Sequence, residues 1–285
     1  MATILVGIDG SERGRRALEW AIARAARVNA SITMLAVIDS AIANKAGVDV
    51  DILKETVRDA LAAKRDEALA AHPGLDIRVQ TSVGNIVDAL VDAANVHDMV
   101  VVGSHHGHTI GETIGGAKGL RISVSTKVPT VIVPADWSAT ADAEGIVMGV
   151  GPDEAVNANA LEFAVSEAVA TGQHLELVSA WGLPAWLERS AEVMGGGLGP
   201  VGEQRQAEVD AAIARLSSEH ADLDVSGRSL EGASPSRVLV ENSADAALLV
   251  LGTNSRNALG RTLFGSVTHS VLLNLTTPTV IVPQG

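Results

Sequence analysis

A stretch rich in glycine and hydroxyl side chains runs Gly252-Thr-Asn-Ser255-Arg-Asn-Ala-Leu-Gly260-Arg-Thr-Leu-Phe-Gly265-Ser266-Val-Thr268. It follows a short apolar run, Ala247 to Leu251, and leads into a helical pattern. A strand, a loop of glycines, and Gly-Ser opening a helix offer backbone N–H groups and hydroxyls to an anion. Arg256 and Arg261 could neutralise phosphate charge there, or simply be solvated. Neither a Walker A motif nor a Gly-x-Gly-x-x-Gly fingerprint is present, so the common phosphate-loop families are not indicated. A second loop of the same kind opens at Gly103 and reaches Gly116. It carries His105, His106 and His108. Three close histidines could hold zinc or nickel, but no cysteine is available and no carboxylate lies between them; Glu112 is the nearest acid downstream. A solvated loop is the simpler reading, with phosphate contact next, stronger below the imidazole pKa near 6.5. No Ser-His-Asp or paired-carboxylate arrangement has a spacing that supports catalysis.

The two loops belong to two copies of one design. Pro-Thr-Val-Ile-Val-Pro occurs at Pro129 to Pro134 and again at Pro278 to Pro283, an offset of 149 (278 − 129). Gly103 maps onto Gly252, and Gly116 onto Gly265, at the same offset. A fixed self-match of this length marks duplication of a whole domain, not a solenoid repeat.

Each copy must position its loop with the same series of elements. Ile4 to Ile8 is a short β-branched run, typical of a strand buried on both faces. Ala17, Leu18, Ala21, Ile22 and Ala25 follow at helical spacing. Further strands are expected at Ser31 to Ile38, Leu75 to Thr81, Met99 to Val102 and Thr130 to Val133, and helices at Ile52 to Ala71, Ile86 to Ala94 and near Leu120 to Ser125. Half two repeats this, with strands at Ile146 to Val150, Leu175 to Ala180, Asp224 to Leu230, Ala247 to Leu251 and Thr279 to Val282. Strands alternating with helices predict two tandem α/β domains, 1–135 and 144–285, each a Rossmann-like five-stranded parallel sheet with helices on both faces. Ala135 to Glu144 reads as the linker. Half two differs most in Trp181 to Gly202, where Gly195-Gly196-Gly197 predicts a mobile loop.

Composition excludes several functions. The net charge of −13 argues against nucleic-acid or anionic-membrane binding. Aromatic residues are 2% of the chain, too few for a single-strand stacking platform. No apolar run approaches the roughly 18 residues that cross a bilayer. The absence of cysteine removes disulfides and thiolate metal sites, and a cytoplasmic protein is expected.

Two copies of this element order, a first strand ending Gly-Ile-Asp-Gly-Ser, and the spacing Gly-x2-Gly-x9-Gly-Ser/Thr together resemble a tandem universal stress protein. The resemblance covers essentially the whole chain. It implies a stress-response protein that binds ATP, with Mg, as a regulatory module and not as an enzyme beyond slow hydrolysis. It also implies a homodimer of the tandem chain.

In that family the first-strand Asp, a Val ending strand two and the glycine loop imply binding, and neither copy is complete. Half one has Asp9, Val37, Gly103 and Gly116, but His106 stands at the second loop glycine and Ala117 at the Ser/Thr place. Half two has Gly252, Gly265, Ser266 and Thr268, with Ser255 at the second glycine. Its first turn reads Gly151-Pro152-Asp153, with no acid at the Asp9 position. One lost hydrogen bond to a phosphate costs about 1.5–3 kcal/mol, and a non-glycine forced to positive φ on the order of 1–3 kcal/mol. Half one loses a glycine and two hydroxyls together, so half two is the better phosphate binder. A competing reading makes the glycines serve only the tight turn into the next helix. The degenerate sites would then leave a nucleotide-free scaffold or dimerisation protein of the same fold.

Overall fold

The computed structural model describes residues 1–40, 45, 47, 49–104, 116–138, 143–182, 199–253 and 265–284. The chain divides into two compact units, Met1–Thr140 and Ala141–Gly285. In the first, the elements are β1 (Thr3–Gly7), α1 (Glu12–Val28), β2 (Ser31–Ile38), α2 (Val50–Ala71), β3 (Ile77–Val83), α3 (Ile86–Ala94), β4 (Met99–Gly103), α4 (Gly116–Ser125) and β5 (Thr130–Val133). The second has β6 (Ile146–Gly149), α5 (Glu154–Thr171), β7 (Leu175–Trp181), α6 (Gly199–Glu219), β8 (Val225–Glu231), α7 (Pro235–Asn242), β9 (Leu248–Thr253), α8 (Ser266–Leu273) and β10 (Thr279–Pro283).

Within unit one the strand order is β3-β2-β1-β4-β5, every neighbouring pair parallel. Unit two repeats it as β8-β7-β6-β9-β10, again all parallel. Parallel strands need crossovers of a dozen or more residues, and the helices supply them while covering both faces of the sheet. The central strands are therefore dry: Ile4, Leu5 and Val6 of β1, and Val100 and Val101 of β4, have no exposed surface. The chain winds outward from β1 in one direction and from β4 in the other. A crevice opens at the carboxyl ends of those two strands, and likewise of β6 and β9.

Local chemistry sets the helix ends that face these crevices. Ser11 caps α1, its Oγ accepting from the Gly14 N–H at 3.2 Å. Asp153 caps α5, accepting from the N–H groups of Ala155 and Val156 at 3.0 and 3.3 Å. Such a cap contributes about 1 kcal/mol. Asn29 and Gly172 end the same two helices in the left-handed region, at φ 52° and 65°.

Most boundaries shift by one or two residues from expectation, as β3 does from Leu75–Thr81 to Ile77–Val83, and two shifts are larger. The expected break from Trp181 to Gly202 is shorter than its glycines imply, because Trp181 belongs to β7 and Gly199 to Gly202 open α6. Glycine and Pro200 are tolerated there, since the first-turn N–H groups have no helical acceptor to lose. Gly195-Gly196-Gly197 lie outside the described residues. The helix expected near Leu120 begins four residues earlier, at Gly116.

Candidate functional site: two unequal crevices

Each crevice holds a cavity, and the two differ in size and lining. That of unit one measures about 100 Å³. Asp9, Val37 and Gly103 all line it, but so do Leu35, Leu90, Val102 and Ile122, which fill it with aliphatic carbon. That of unit two measures about 450 Å³ and is lined by Gly252, Thr253, Gly265 and Thr268, by Ser179, Trp181 and Asn157, and by Arg205 of α6. Small-molecule pockets run from roughly 300 to 1,000 Å³, so only the second is of ligand size.

The loop glycines separate into two roles. A Cβ on Gly252 would sit 2.4 Å from the carbonyl oxygen of Val156, and one on Gly103 would sit 2.5 Å from that of Arg13. Both glycines let the first turn of the helix that follows the unit's first strand (α1 after β1, α5 after β6) press against the end of the sheet. Their conservation between the halves is explained by packing alone. Gly265 is different. Its φ is −57°, and a Cβ there would meet nothing within 4 Å. Neither backbone strain nor packing demands glycine at that position. Gly265 stands at the N-cap of α8, where no side chain accepts from the first-turn N–H groups. Those donors, with the positive end of the helix dipole, face the cavity wall formed by Gly265, Val267 and Thr268. Ser266 is exposed beside that wall and is not part of it.

Thr253, the last residue of β9, adds the most direct sign of a ligand. It is 2% exposed, lines the cavity, and its Oγ1 has no hydrogen-bond partner among the described residues. An unsatisfied buried hydroxyl costs about 1–3 kcal/mol, a cost that an acceptor in the cavity would remove. Sequence reasoning passed over Thr253, since a threonine ending an apolar strand carries no motif. It also passed over Arg205, the one cation among the described residues lining this cavity.

The acidic position diverges for a geometric reason. In unit one the Asp9 carboxylate accepts from the Ser11 N–H at 3.0 Å and from its hydroxyl at 2.5 Å. A Cβ on Gly14 would come within 2.8 Å of Asp9 Oδ1, so Asp9 needs glycine at that point of α1. The buried alanines Ala17, Ala21 and Ala25 of α1 match Ala160, Ala164 and Ala168 of α5 at an offset of 143 (160 − 17). By that register Asn157 stands where Gly14 does. Its side-chain oxygen accepts from the Gly151 N–H at 3.0 Å and its amide donates to the Gly151 carbonyl at 2.7 Å. A carboxylate on the strand loop over a bare helix has become a carboxamide on the helix over a bare loop. Asp153, the acid close by in sequence, is the helix cap described above and does not replace Asp9.

Among the remaining sequence-derived positions, Gly116 opens α4. Ser255, His105, His106, His108, Arg256 and Arg261 lie outside the described residues. Among the described residues no group of three or more His, Cys, Asp or Glu could hold a metal ion. Nor is any described helix long and apolar enough to cross a membrane.

A Ser-His-Asp chain does exist, which the sequence reading did not anticipate. His174 Nδ1 lies 3.0 Å from Asp224 Oδ2, and its Nε2 lies 2.8 Å from Ser226 Oγ. Pairing of Leu175 with Val225 brings these residues together across β7 and β8. The chain sits at the amino ends of those strands, away from the cavity, and the side chain of Asp224 is 81% exposed. Nucleophilic catalysis needs a substrate pocket and donors for the oxyanion. Neither accompanies Ser226 among the described residues, and the arrangement reads as a surface tie between the strands.

Each unit is thus an open parallel α/β sheet with a crevice at its switch point, and unit two adds an uncapped helix N-terminus to that crevice. The chain belongs to the universal stress protein family, which residues 1–134 and 144–283 each match. It is 27% identical to a universal stress protein of Mycolicibacterium smegmatis over 98% of this chain and 96% of that one. It is equally 27% identical to one from Mycobacterium tuberculosis, over 99% and 97% of the two chains. Among solved structures, a universal stress protein from Archaeoglobus fulgidus superposes with a TM-score of 0.76 at 17% identity, over 99% of this chain and 98% of that one. A second, from Pseudomonas aeruginosa, gives 0.63 at 18% identity, over 99% and 93%.

Proposed function

We propose that unit two binds an adenine nucleotide, ATP with its Mg2+, and that the chain acts as a regulatory binding module of the stress response. The observation that carries this reading is Thr253, whose buried hydroxyl lacks a partner among the described residues, beside the uncapped start of α8 in a cavity of about 450 Å³. The amides of α8, the hydroxyls of Thr253 and Thr268, and Arg205 form a phosphate-binding set. Mg2+ would take its ligands from the phosphates and water.

Unit one favours the second reading. With about 100 Å³ of space and an aliphatic lining, it is a nucleotide-free copy retained as scaffold. The chain then carries one nucleotide, not two. Assembly of two tandem chains into a cytoplasmic homodimer completes the proposal, and light scattering coupled to gel filtration tests the assembly.

The experiment is a thermal-shift titration with Mg-ATP, joined to mass analysis of ligand released from freshly purified protein. ATP should stabilise unit two by about 2.7 kcal/mol at a hundred times its Kd. No shift at millimolar ATP and no copurified nucleotide would reject the proposal. Phosphate release by the wild type should not exceed that of a Gly265→Ala variant by more than a slow background, since no described residue in the cavity is placed as a general base.

A further inference from the structure

We infer that unit two reads its ligand's ring by the face, through Trp181, and therefore does not distinguish adenine from guanine. This rests on the nucleotide reading above and specifies how that same site chooses its ligand.

Trp181 ends β7 and lines the cavity. Its orientation is fixed at two points. The indole N–H donates to Ser229 Oγ at 2.9 Å. Beside it, on the benzenoid ring, α6 approaches at a glycine: a Cβ on Gly202 would lie 3.1 Å from Trp181 Cζ2. A bulkier residue there would push the ring, so α6 both seats the indole and, one turn on, supplies Arg205 to the same cavity. Unit one has no such wall. The strand pairings Ile4↔Ile32 and Ile146↔Leu175 carry Ile38 onto Trp181, and Ile38 is packed into the core at 6% exposure.

Two groups that could read a base by its hydrogen-bonding edge are changed or occupied. The acid of unit one, Asp9, is replaced by Gly151, and the nearby carboxamide of Asn157 spends its oxygen and its amide on the Gly151 backbone. The indole N–H is spent on Ser229. The broadest surface offered to a base is the rigid aromatic plane of Trp181, of about the right size for a purine, with Ser179 and Arg205 as the polar neighbours in the same lining. Every base presents a π-face, so recognition by stacking tolerates a change of base. The phosphate end, at Gly265 to Thr268 and Thr253, is common to all nucleoside triphosphates.

The test measures affinities of the full-length protein for Mg-ATP, Mg-GTP and inorganic tripolyphosphate by calorimetry, with tryptophan emission as a second signal. ATP and GTP should bind within about threefold of each other. Both should bind roughly five- to 150-fold more tightly than tripolyphosphate, from stacking of about 1–3 kcal/mol per base converted at 1.4 kcal/mol per tenfold. Trp181→Leu should lower both nucleotides to the tripolyphosphate level and leave tripolyphosphate unchanged. ATP should quench wild-type emission, tripolyphosphate should not, and Trp181→Phe should bind ATP nearly as well while losing the quench. The emission difference and the Phe variant decide the matter even where the Leu variant fails to fold. GTP weaker than ATP by tenfold or more, or a Trp181→Phe variant that keeps the quench, overturns the inference and leaves the anion site standing. Tripolyphosphate binding without any gain from a base does the same. Failure of wild type to bind any of the three ligands removes the nucleotide reading itself.

Discussion

Replacing Gly252 and Gly265 separately by alanine separates scaffold from site. At Gly252 the new methyl would lie 2.4 Å from the Val156 carbonyl oxygen and 2.9 Å from Val156 Cγ1. The carbonyl is backbone in the first turn of α5 and cannot rotate away, so the helix must move off the sheet. Overpacking of this kind costs about 1–3 kcal/mol, and a backbone obstacle puts Gly252→Ala at the upper end. For a domain of this size 1 kcal/mol is worth about 2–4 °C, so unit two should melt roughly 6–12 °C lower. At Gly265 the methyl enters open space at a φ of −57° that alanine accepts. Gly265→Ala should therefore melt within about 0.5 kcal/mol of wild type while its ATP-induced shift disappears, because the methyl now stands where a phosphate must approach. Differential scanning calorimetry with and without millimolar Mg-ATP reads both effects. A Gly252→Ala protein with unchanged melting, or a Gly265→Ala protein that keeps the full ATP shift, would refute this division of roles.

Three further outcomes follow from particular contacts. Thr253→Val removes an unsatisfied buried hydroxyl at nearly constant volume; the ligand-free protein should melt no lower than wild type, while its affinity for ATP falls about tenfold. Asp98 Oδ2 accepts from the Thr3 hydroxyl and from the Thr3 N–H, each at 2.8 Å, and those bonds, the side-chain one first, hold its pKa below the ordinary carboxylate value. A carboxylate depressed in the folded state stabilises above its unfolded pKa and loses that contribution as pH falls through the folded one. The stability gap between wild type and Asp98→Asn should therefore close in acid below the usual carboxylate range, as pH-dependent melting curves would show. Ser226 should resist fluorophosphonate labelling, checked by intact mass, because among the described residues no oxyanion donors accompany its hydrogen bond to His174; stoichiometric labelling would restore the case for catalysis.

The scaffold was legible because it rests on periodicity. Strands such as Ser31–Ile38 and Thr130–Val133, and the helix Ile86–Ala94, fall where the apolar pattern places them. The duplicated Pro-Thr-Val-Ile-Val-Pro predicts two copies of one sheet, each built from local runs that are buried on both faces. Departure of each half from the binding pattern was equally plain, since a missing Asp or glycine is visible in one dimension. Which glycine serves the fold was not. Gly252 and Gly265 look alike in sequence, and only the distance from Gly252 to a carbonyl on another element distinguishes them.

The exchange of Asp9 and Gly14 for Gly151 and Asn157 was hidden for a related reason. The strand pairings relate the halves at an offset of 142 (146 − 4) and the helical alanines at 143 (160 − 17), one residue more, so linear alignment pairs the wrong residues. Only the buried alanine stripe of each helix reveals the true register. Thr253, Trp181 and Arg205 meet in one cavity from β9, β7 and α6, elements far apart in sequence. The amino-acid sequence by itself determined the duplicated parallel α/β fold, because hydrophobic period and strand composition act over a few neighbouring residues. Tertiary structure alone decided that one crevice keeps about 100 Å³ and the other about 450 Å³. Free volume, an unpaired hydroxyl and the seating of an indole are sums over side chains that the fold brings together from separate elements.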